Sequence, residues 1–441
     1  MRWLRVPKSC HNAQVLVLAP RFPSINQPWM DTYLEQLLRH DIPFCVVSTL
    51  RSNGRYHEKV DRLGLRRFVV SLPSAPVELV AAALWSLLRY PIRSLSVVAT
   101  AWKQRPTAKS GRRLWGRLFR ALSTVPLFAV LPRLEVVHSH NDFMGLRFLP
   151  AARRFGVPMV VTFHGLEPRG VDQMDPAQRR TLGEYASQVL VNTKFARAHA
   201  AEVGFPPDRI QVLPQGLPIE DFPYSPASPL GPNEPLRVLS VGRFHRDKGQ
   251  AYSLLALSRL LRSGHDVVWH FVGVGPDKSR LMGLSSRLGL TEHAHFHEGI
   301  AAHKLLELYH ASHLLVLASV SHPGNREHTE TQGVVLQEAQ AAGCIPIATR
   351  VGGIPECVHH GRDGLLVEDR SHRALAEAIE YMFEHRDKWP SFQAQGRRNV
   401  EERFSADAVG ARMAEILRGT GSQRAPARRT DRATHDQITG G

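Results

Sequence analysis

The chain has 441 residues, 43% hydrophobic and 22% charged, the balance of a folded soluble protein and not of a disordered one. Its length exceeds one ordinary core and suits two domains with additions. The net charge of +16 is not accompanied by any nucleic-acid-binding motif, so nucleic acid is not expected as a partner.

Cys10, Cys45, Cys344 and Cys357 are far apart with no CxxC pair, which excludes a disulfide framework and a zinc knuckle and fits a reducing cytoplasm. No stretch reaches the roughly 20 apolar residues of a membrane helix. The N-terminal run "VLVLA" is strand-sized and not a signal-peptide core.

In chain order, a first series of strands is expected at 14–20, 44–49, 66–72, 135–140, 158–165, 188–193 and 210–216, with an amphipathic helix at 29–41. Residues 79–134 contain no acid and ten Lys or Arg. Within them Leu114, Trp115, Leu118, Phe119 and Leu122 form a helical stripe among Arg113, Arg117 and Arg120. A basic amphipathic helix suits an anionic membrane surface, at about 1 kcal/mol per basic residue near the bilayer. Peripheral attachment to the inner membrane face is therefore expected.

Residues 217–235 hold six prolines and are expected as a linker between a first domain, 1–216, and a second, 236–402. The second series has strands at 236–244, 266–276, 293–299, 312–319, 344–353 and 363–369. Helices are expected at 250–263, 303–310, 335–342, 371–384 and 403–417, the last packing back on the first domain, and 419–441 is expected to be a disordered tail. Strands alternating with helices imply parallel sheets and an α/β fold of two Rossmann-like domains.

Ligands of doubly wound sheets bind beyond the strands' carboxyl ends. There, "GRFHRDKG" offers Gly242 for a sharp turn and Arg243 and Lys248 as cations able to converge on a diphosphate. The segment "ETQGVVLQEAQAAG" puts Glu330 on a loop, Gly333 at a helix start and Glu338 inside that helix. Free amides around 332–335 suit an anion, and Thr331, Gln332, Gly333 and Val334 are expected to contact the donor. The two carboxylates repel phosphate and suit hydroxyls. Cations between acids thus match a sugar nucleotide, with diphosphate in the middle and hydroxyls at each end.

"VGRFHRDKG", "VGVGP" (containing Gly275), "ETQGVVLQEAQAAGCIPIATRVGGIPE" and "DGLLV", in this order, resemble the retaining family 4 glycosyltransferases of GT-B fold. The bacterial exopolysaccharide and lipopolysaccharide enzymes resemble it in particular. The resemblance is strong over 236–415 and weaker in the first domain, where "APRFPSINQP" departs from the family's glycine-rich first loop. It implies that Arg243 and Lys248 bind the donor diphosphate, Glu330 the transferred sugar and Glu338 the ribose. His164 would face the donor sugar from the other domain. His138 and His140 have metal-ligand spacing, with His164 as a conceivable third ligand, but alternate strand positions fit a structural pair better. With no Asp-x-Asp, a metal-independent reaction without cofactor is expected.

The expected activity is transfer of a hexose-type sugar from a nucleoside-diphosphate donor to a glycan or polyprenyl-linked acceptor. The alternatives are a sugar-nucleotide epimerase on the same fold and an inactive membrane-docked assembly protein.

Overall fold

Strands buried on both faces read as continuous apolar runs, and each half of the protein is built on one. The computed structural model describes residues 6–422 apart from 25–26, 51, 53, 55, 104–110, 166–173, 175, 232 and 322–328, with backbone alone at 111–114. The first domain opens with β1 (Val15–Arg21), α1 (Pro28–Arg39), β2 (Phe44–Leu50), α2 (Glu58–Arg62) and β3 (Val69–Ser71). A sheaf of helices follows: α3 (Pro76–Arg89), α4 (Pro91–Lys103), α5 (Gly111–Leu122) and α6 (Val125–Val130). The domain closes with β4 (Val136–Ser139), α7 (Asp142–Phe155), β5 (Met159–Thr162), α8 (Pro176–Tyr185), β6 (Gln188–Val191), α9 (Lys194–Glu202) and β7 (Ile210–Val212).

The second domain begins with β8 (Leu236–Val241), α10 (Gln250–Arg262), β9 (Val267–Val272), α11 (Lys278–Arg287) and β10 (Ala294–His297). It continues through α12 (Ala302–Ala311), β11 (Leu314–Leu317), α13 (Val334–Ala342), β12 (Ile345–Thr349) and β13 (Leu365–Val367). Among the described residues three helices follow: α14 (His372–Glu384), α15 (Trp389–Arg403) and α16 (Ala406–Ser422).

The strands pair in parallel in two sheets, ordered β3-β2-β1-β4-β5-β6-β7 and β10-β9-β8-β11-β12-β13. Strand order therefore reverses between β1 and β4 and between β8 and β11, the switch points at which such sheets open a crevice. Alternate residues of β1 serve two cores. Leu16 and Leu18 pack with Met144 and Phe148 of α7, while Val15, Val17 and Ala19 pack with Met30 and Leu34 of α1. In β8, Val238 joins Leu254 and Trp269, and Leu239 joins Leu336 and Ala339 on the other face.

α16 crosses back to the first domain, where Met413 and Leu417 enter the core over α1. Gln36 Nε2 and Arg39 Nη1 donate to Asp407 Oδ1 at 3.0 and 2.9 Å. This helix corrects the expected start of the tail at 419: it runs through Ser422, because Thr420 and Gly421 are buried. A Cβ on Gly421 would lie 3.1 Å from Glu135 Oε2. Residues 423–441 of the expected tail lie outside the described residues.

The basic stripe also divides differently from its expectation. Leu118 and Leu122 are buried against the first domain, and Trp115 points outward, 60% exposed. The side chains of Leu114 and Arg113 lie outside the described residues. No helix among the described residues is long and apolar enough to cross a membrane.

Candidate functional site

The loop after β8 is shaped by backbone contact. Gly249 has φ +63°, and a Cβ there would lie 1.8 Å from the Ala318 carbonyl oxygen, so only glycine fits. Phe244 is buried and Gln250 Nε2 donates to the Arg243 carbonyl at 2.8 Å. Lys248 is thereby turned inward, over Gly242, while the Arg243 side chain stands exposed at the rim. Gly275, on the loop after β9, backs this turn, its would-be Cβ 2.3 Å from the Phe244 carbonyl oxygen.

Lys248 Nζ donates to Glu330 Oε2 across 82 residues of sequence. The pair is half-buried, with 23% and 15% of the two side chains exposed. Burial alone would push the Glu330 pKa up, but the neighbouring ammonium outweighs it and holds the carboxyl below its usual range. Below this segment lies the loop after β12. Gly353 N–H donates to the Glu330 carbonyl at 3.0 Å, and a Cβ on Gly353 would come within 1.9 Å of the Thr331 carbonyl oxygen. Any side chain at Gly353 would lift Glu330 and Thr331 off their support.

Gly333 takes φ +75° and opens α13, so Val334, the first residue of that helix, brings a helix-start amide to the cavity wall, while the Leu336 N–H donates to the Gly333 carbonyl at 2.9 Å. Glu338 lies further along α13, apart from the Lys248–Glu330 pair. Tyr309 of α12, fully buried, donates its hydroxyl to Glu338 Oε2 at 2.7 Å. Burial pushes the Glu338 pKa up. Tyr309 was not singled out from sequence, since nothing local ties it to Glu338 29 residues on.

The facing wall comes from the first domain. A cavity of about 320 Å³ is lined by Pro20, Trp29, His140, Asn141, Asp142, His164 and Gly165 on one side and by Glu330, Thr331, Gln332, Gly333 and Val334 on the other. The structure thus brings His164 opposite Glu330. Lys248 joins through its bond to Glu330. Gly242, Arg243, Gly275 and Glu338 stand outside this lining.

Hydrogen bonds clasp the two domains at the same place. Asn192 Nδ2 donates to Thr331 Oγ1 at 3.0 Å and Thr193 Oγ1 to the Thr331 carbonyl at 2.8 Å. Gln332, 2% exposed, accepts from Gln215 N–H at 2.8 Å and donates to its carbonyl at 3.1 Å. The same Nε2 also donates to Gln337 Oε1 of α13 at 2.9 Å, so the side chain ties α13 to the first domain. Glu356 accepts from the Lys194 and Phe195 amides at the start of α9, both at 2.8 Å, a carboxylate at a positive helix end.

The histidine pair is only half as expected. His138 is satisfied: Nδ1 meets Tyr33 Oη at 2.6 Å and Nε2 meets Thr162 Oγ1 at 2.9 Å. Burial, with His164 nearby, pushes its pKa down to about 3. His140 is buried, yet neither of its ring nitrogens has a hydrogen-bond partner. It packs between Trp29 and Tyr33, centroids 5.0 and 4.6 Å away, and borders the cavity. Trp29 also lies under His164 at 4.5 Å. Among the described residues no three His, Cys, Asp or Glu side chains are grouped as metal ligands.

Residues 223–399 match the family model of Glycosyl transferases group 1, and residues 30–221 match Glycosyltransferase Family 4. The chain belongs to this family of glycosyltransferases. The glycosyltransferase is 28% identical over 352 residues to a GDP-mannose-dependent alpha-(1-6)-phosphatidylinositol monomannoside mannosyltransferase of Mycobacterium tuberculosis, covering 75% of this chain and 91% of that one. It is 31% identical over 271 residues to a D-inositol 3-phosphate glycosyltransferase of Acidothermus cellulolyticus, covering 56% and 58% of the two chains. In fold it is similar to sucrose-phosphate synthase of Thermosynechococcus elongatus, with TM-score 0.69, 17% identity and coverage of 93% and 99%. It is also similar to HepE of Anabaena in complex with UDP, with TM-score 0.66, 17% identity and coverage of 92% and 100%. The two doubly wound domains are thus a GT-B fold.

Proposed function

We propose that this glycosyltransferase moves a hexose-type sugar, with retention, from a nucleoside-diphosphate donor to a hydroxyl of a glycan or lipid-linked glycan in cell-surface polysaccharide synthesis. One observation carries the reading: an ionised Glu330, held by Lys248 at the start of α13, faces His164 across the interdomain cavity. A cation, helix-start amides and a carboxylate within one cleft complement a departing diphosphate and a sugar hydroxyl together.

In this reading Lys248 and Arg243 take the diphosphate, with Gly242 and Gly275 keeping the approach clear. The amides from Thr331 to Val334 add donors that stabilise the leaving charge, so no metal is required. Glu330 accepts from a sugar hydroxyl, and His164 bounds the sugar from the other side. Tyr309 fixes one oxygen of Glu338 and leaves the other for a ribose hydroxyl. The donor and acceptor in the mannosyltransferase relative's name, GDP-mannose and phosphatidylinositol monomannoside, favour a hexose donor and a glycolipid-like acceptor.

Peripheral membrane attachment belongs to the same proposal. Of fourteen exposed large apolar side chains among the described residues, nine fall between Val77 and Val130, including Leu84, Leu88, Ile92 and Leu95. Eight of the nine fall in the stretch 79–134, which holds no acid, a combination suited to an anionic bilayer.

The test is incubation with a panel of sugar nucleotides and membrane-extracted lipid acceptor, read by nucleoside-diphosphate release and by proton NMR of the new anomeric centre. Release with a retained configuration is expected. A donor converted at unchanged mass would identify an epimerase instead, and inversion would refute retention.

A further inference from the structure

A second cavity, about 390 Å³, lies under the helical sheaf of the first domain, between α3, α4, α5 and α7 and the ends of β1 and β2. Three arginines line it: Arg117 and Arg120 from α5 and Arg147 from α7. Among the described residues no acidic side chain lines it. Leu50, Leu79, Ala101, Phe143, Met144 and Met174 make the rest of the wall largely apolar.

Two of the guanidinium groups are incompletely satisfied, while Arg120 is exposed. Arg117 Nη1 and Arg147 Nε are buried without a hydrogen-bond partner. Arg147 Nη2 reaches Ser123 Oγ only at 3.4 Å. Burial, with Arg120 beside it, pushes the Arg147 pKa down to about 10. Buried polar atoms are normally paired, and a buried charge without a counter-charge is costly. Cations gathered around an apolar room, with no carboxylate in its lining among the described residues, suit an anion carried on something apolar.

The position of the cavity narrows the occupant. Pro20 lines both this cavity and the interdomain one, and Asp142 of the latter adjoins Phe143 of the former. Leu79 and Ala101 come from α3 and α4, the helices whose outer sides carry the exposed Leu84, Leu88, Ile92 and Leu95. The room therefore lies between the membrane-suited surface and the cleft.

We propose that this cavity binds the phosphate and adjoining hydrocarbon of a lipid-linked acceptor, with Arg117, Arg120 and Arg147 holding the phosphate. The term acceptor rests on the proposed transfer reaction; the binding itself does not. Phosphate pairs with a guanidinium fork more strongly than any neutral partner can, and the apolar wall takes the chain.

The probes are farnesyl phosphate, farnesol and inorganic phosphate, titrated by calorimetry into the full-length protein. Farnesyl phosphate is expected to bind saturably, with farnesol and inorganic phosphate each at least about tenfold weaker, the loss expected for a charged hydrogen bond. Arg117→Gln and Arg147→Gln should each weaken farnesyl phosphate by about tenfold or more while leaving nucleoside-diphosphate binding unchanged. If Arg147→Gln fails to fold, Arg117→Gln decides alone. The proposal is overturned if farnesyl phosphate does not bind, if farnesol binds as well, if inorganic phosphate binds as well (a free anion site), or if Arg117→Gln has no effect. Farnesyl phosphate binding without any nucleoside-diphosphate binding would fail the transfer reading and keep this one; the reverse would fail this one alone.

Discussion

Replacing Lys248 by Met removes the ammonium and leaves Glu330 in place with 15% of its side chain exposed. At an effective dielectric near 20, two charges about 3 Å apart attract by roughly 5 kcal/mol. Desolvation cancels part of this, so a net coupling of about 2 kcal/mol is expected for such a charged hydrogen bond. At pH 7 Lys248→Met should therefore be less stable by about 2 to 3 kcal/mol, because burial then acts on an unopposed carboxylate. Glu330→Gln should cost about 1 kcal/mol, and adding it to Lys248→Met should recover most of the loss. The pH dependence follows. The folded Glu330 pKa lies below the ordinary value, so its stabilisation is present above about pH 4.5 and is lost as pH falls through the folded value. In Lys248→Met that sign reverses.

Urea unfolding at pH 7 and pH 4 measures both quantities. Ligand binding then separates the roles. Lys248→Met should weaken a nucleoside diphosphate by about 10- to 100-fold, whereas Glu330→Gln should leave the diphosphate near wild type and weaken only the sugar nucleotide. Equal loss of diphosphate affinity in both variants, or no coupling between them, would refute the division of labour between cation and acid.

Gly353→Ala brings a methyl group within 1.9 Å of the Thr331 carbonyl oxygen. It should destabilise by about 1 to 3 kcal/mol and lower kcat by orders of magnitude, with Gly419→Ala, at an open position of α16, as a control for expression alone. Asp31 is 1% exposed with neither carboxyl oxygen hydrogen-bonded, and burial pushes its pKa up to about 7 despite Lys59. Stability linked to its protonation is full below about pH 4 and lost as pH rises through about 7, about 4 kcal/mol over the window. Asp31→Asn should flatten the wild-type decline in urea-derived stability between pH 4 and 7. Glu356→Ala removes both acceptors of the α9 start and should cost about 1 kcal/mol, with faster hydrogen exchange at Lys194 and Phe195. Unchanged exchange there would show that the domain contact does not depend on it.

The strands were legible because parallel central strands are buried on both faces: "VLVLA" and "RVLSV" admit little but apolar residues. Gly333 was legible as a helix start, and Gly353, at a strand end, as a place of close backbone approach. α11 and α15 were not. Only Leu281 and Ser285 of α11 are buried, too few to set a helical period. α15 buries Gln393, Gly396 and Asn399, and Asn399 Nδ2 donates to Gln340 Oε1 at 3.1 Å and to the Cys357 carbonyl at 3.0 Å. A helix held by polar packing hides from a hydrophobic pattern. In the site, each motif was readable, but not the pairing of Lys248 with Glu330 as an ion pair, nor Thr331 and Gln332 as the clasp on Asn192, Thr193 and Gln215. Those contacts join segments more than 80 residues apart, and only the fold brings them within reach.

Donor binding depends on the β8 loop gripping a diphosphate. Its most direct measurement is calorimetric titration of UDP, GDP and ADP into the wild-type chain and Arg243→Ala, whose exposed side chain can be removed without disturbing the fold. Saturable one-to-one binding of at least one nucleotide, weakened about tenfold or more in the variant, is the predicted result. Binding of none of the three, or equal affinity in the variant, would contradict it.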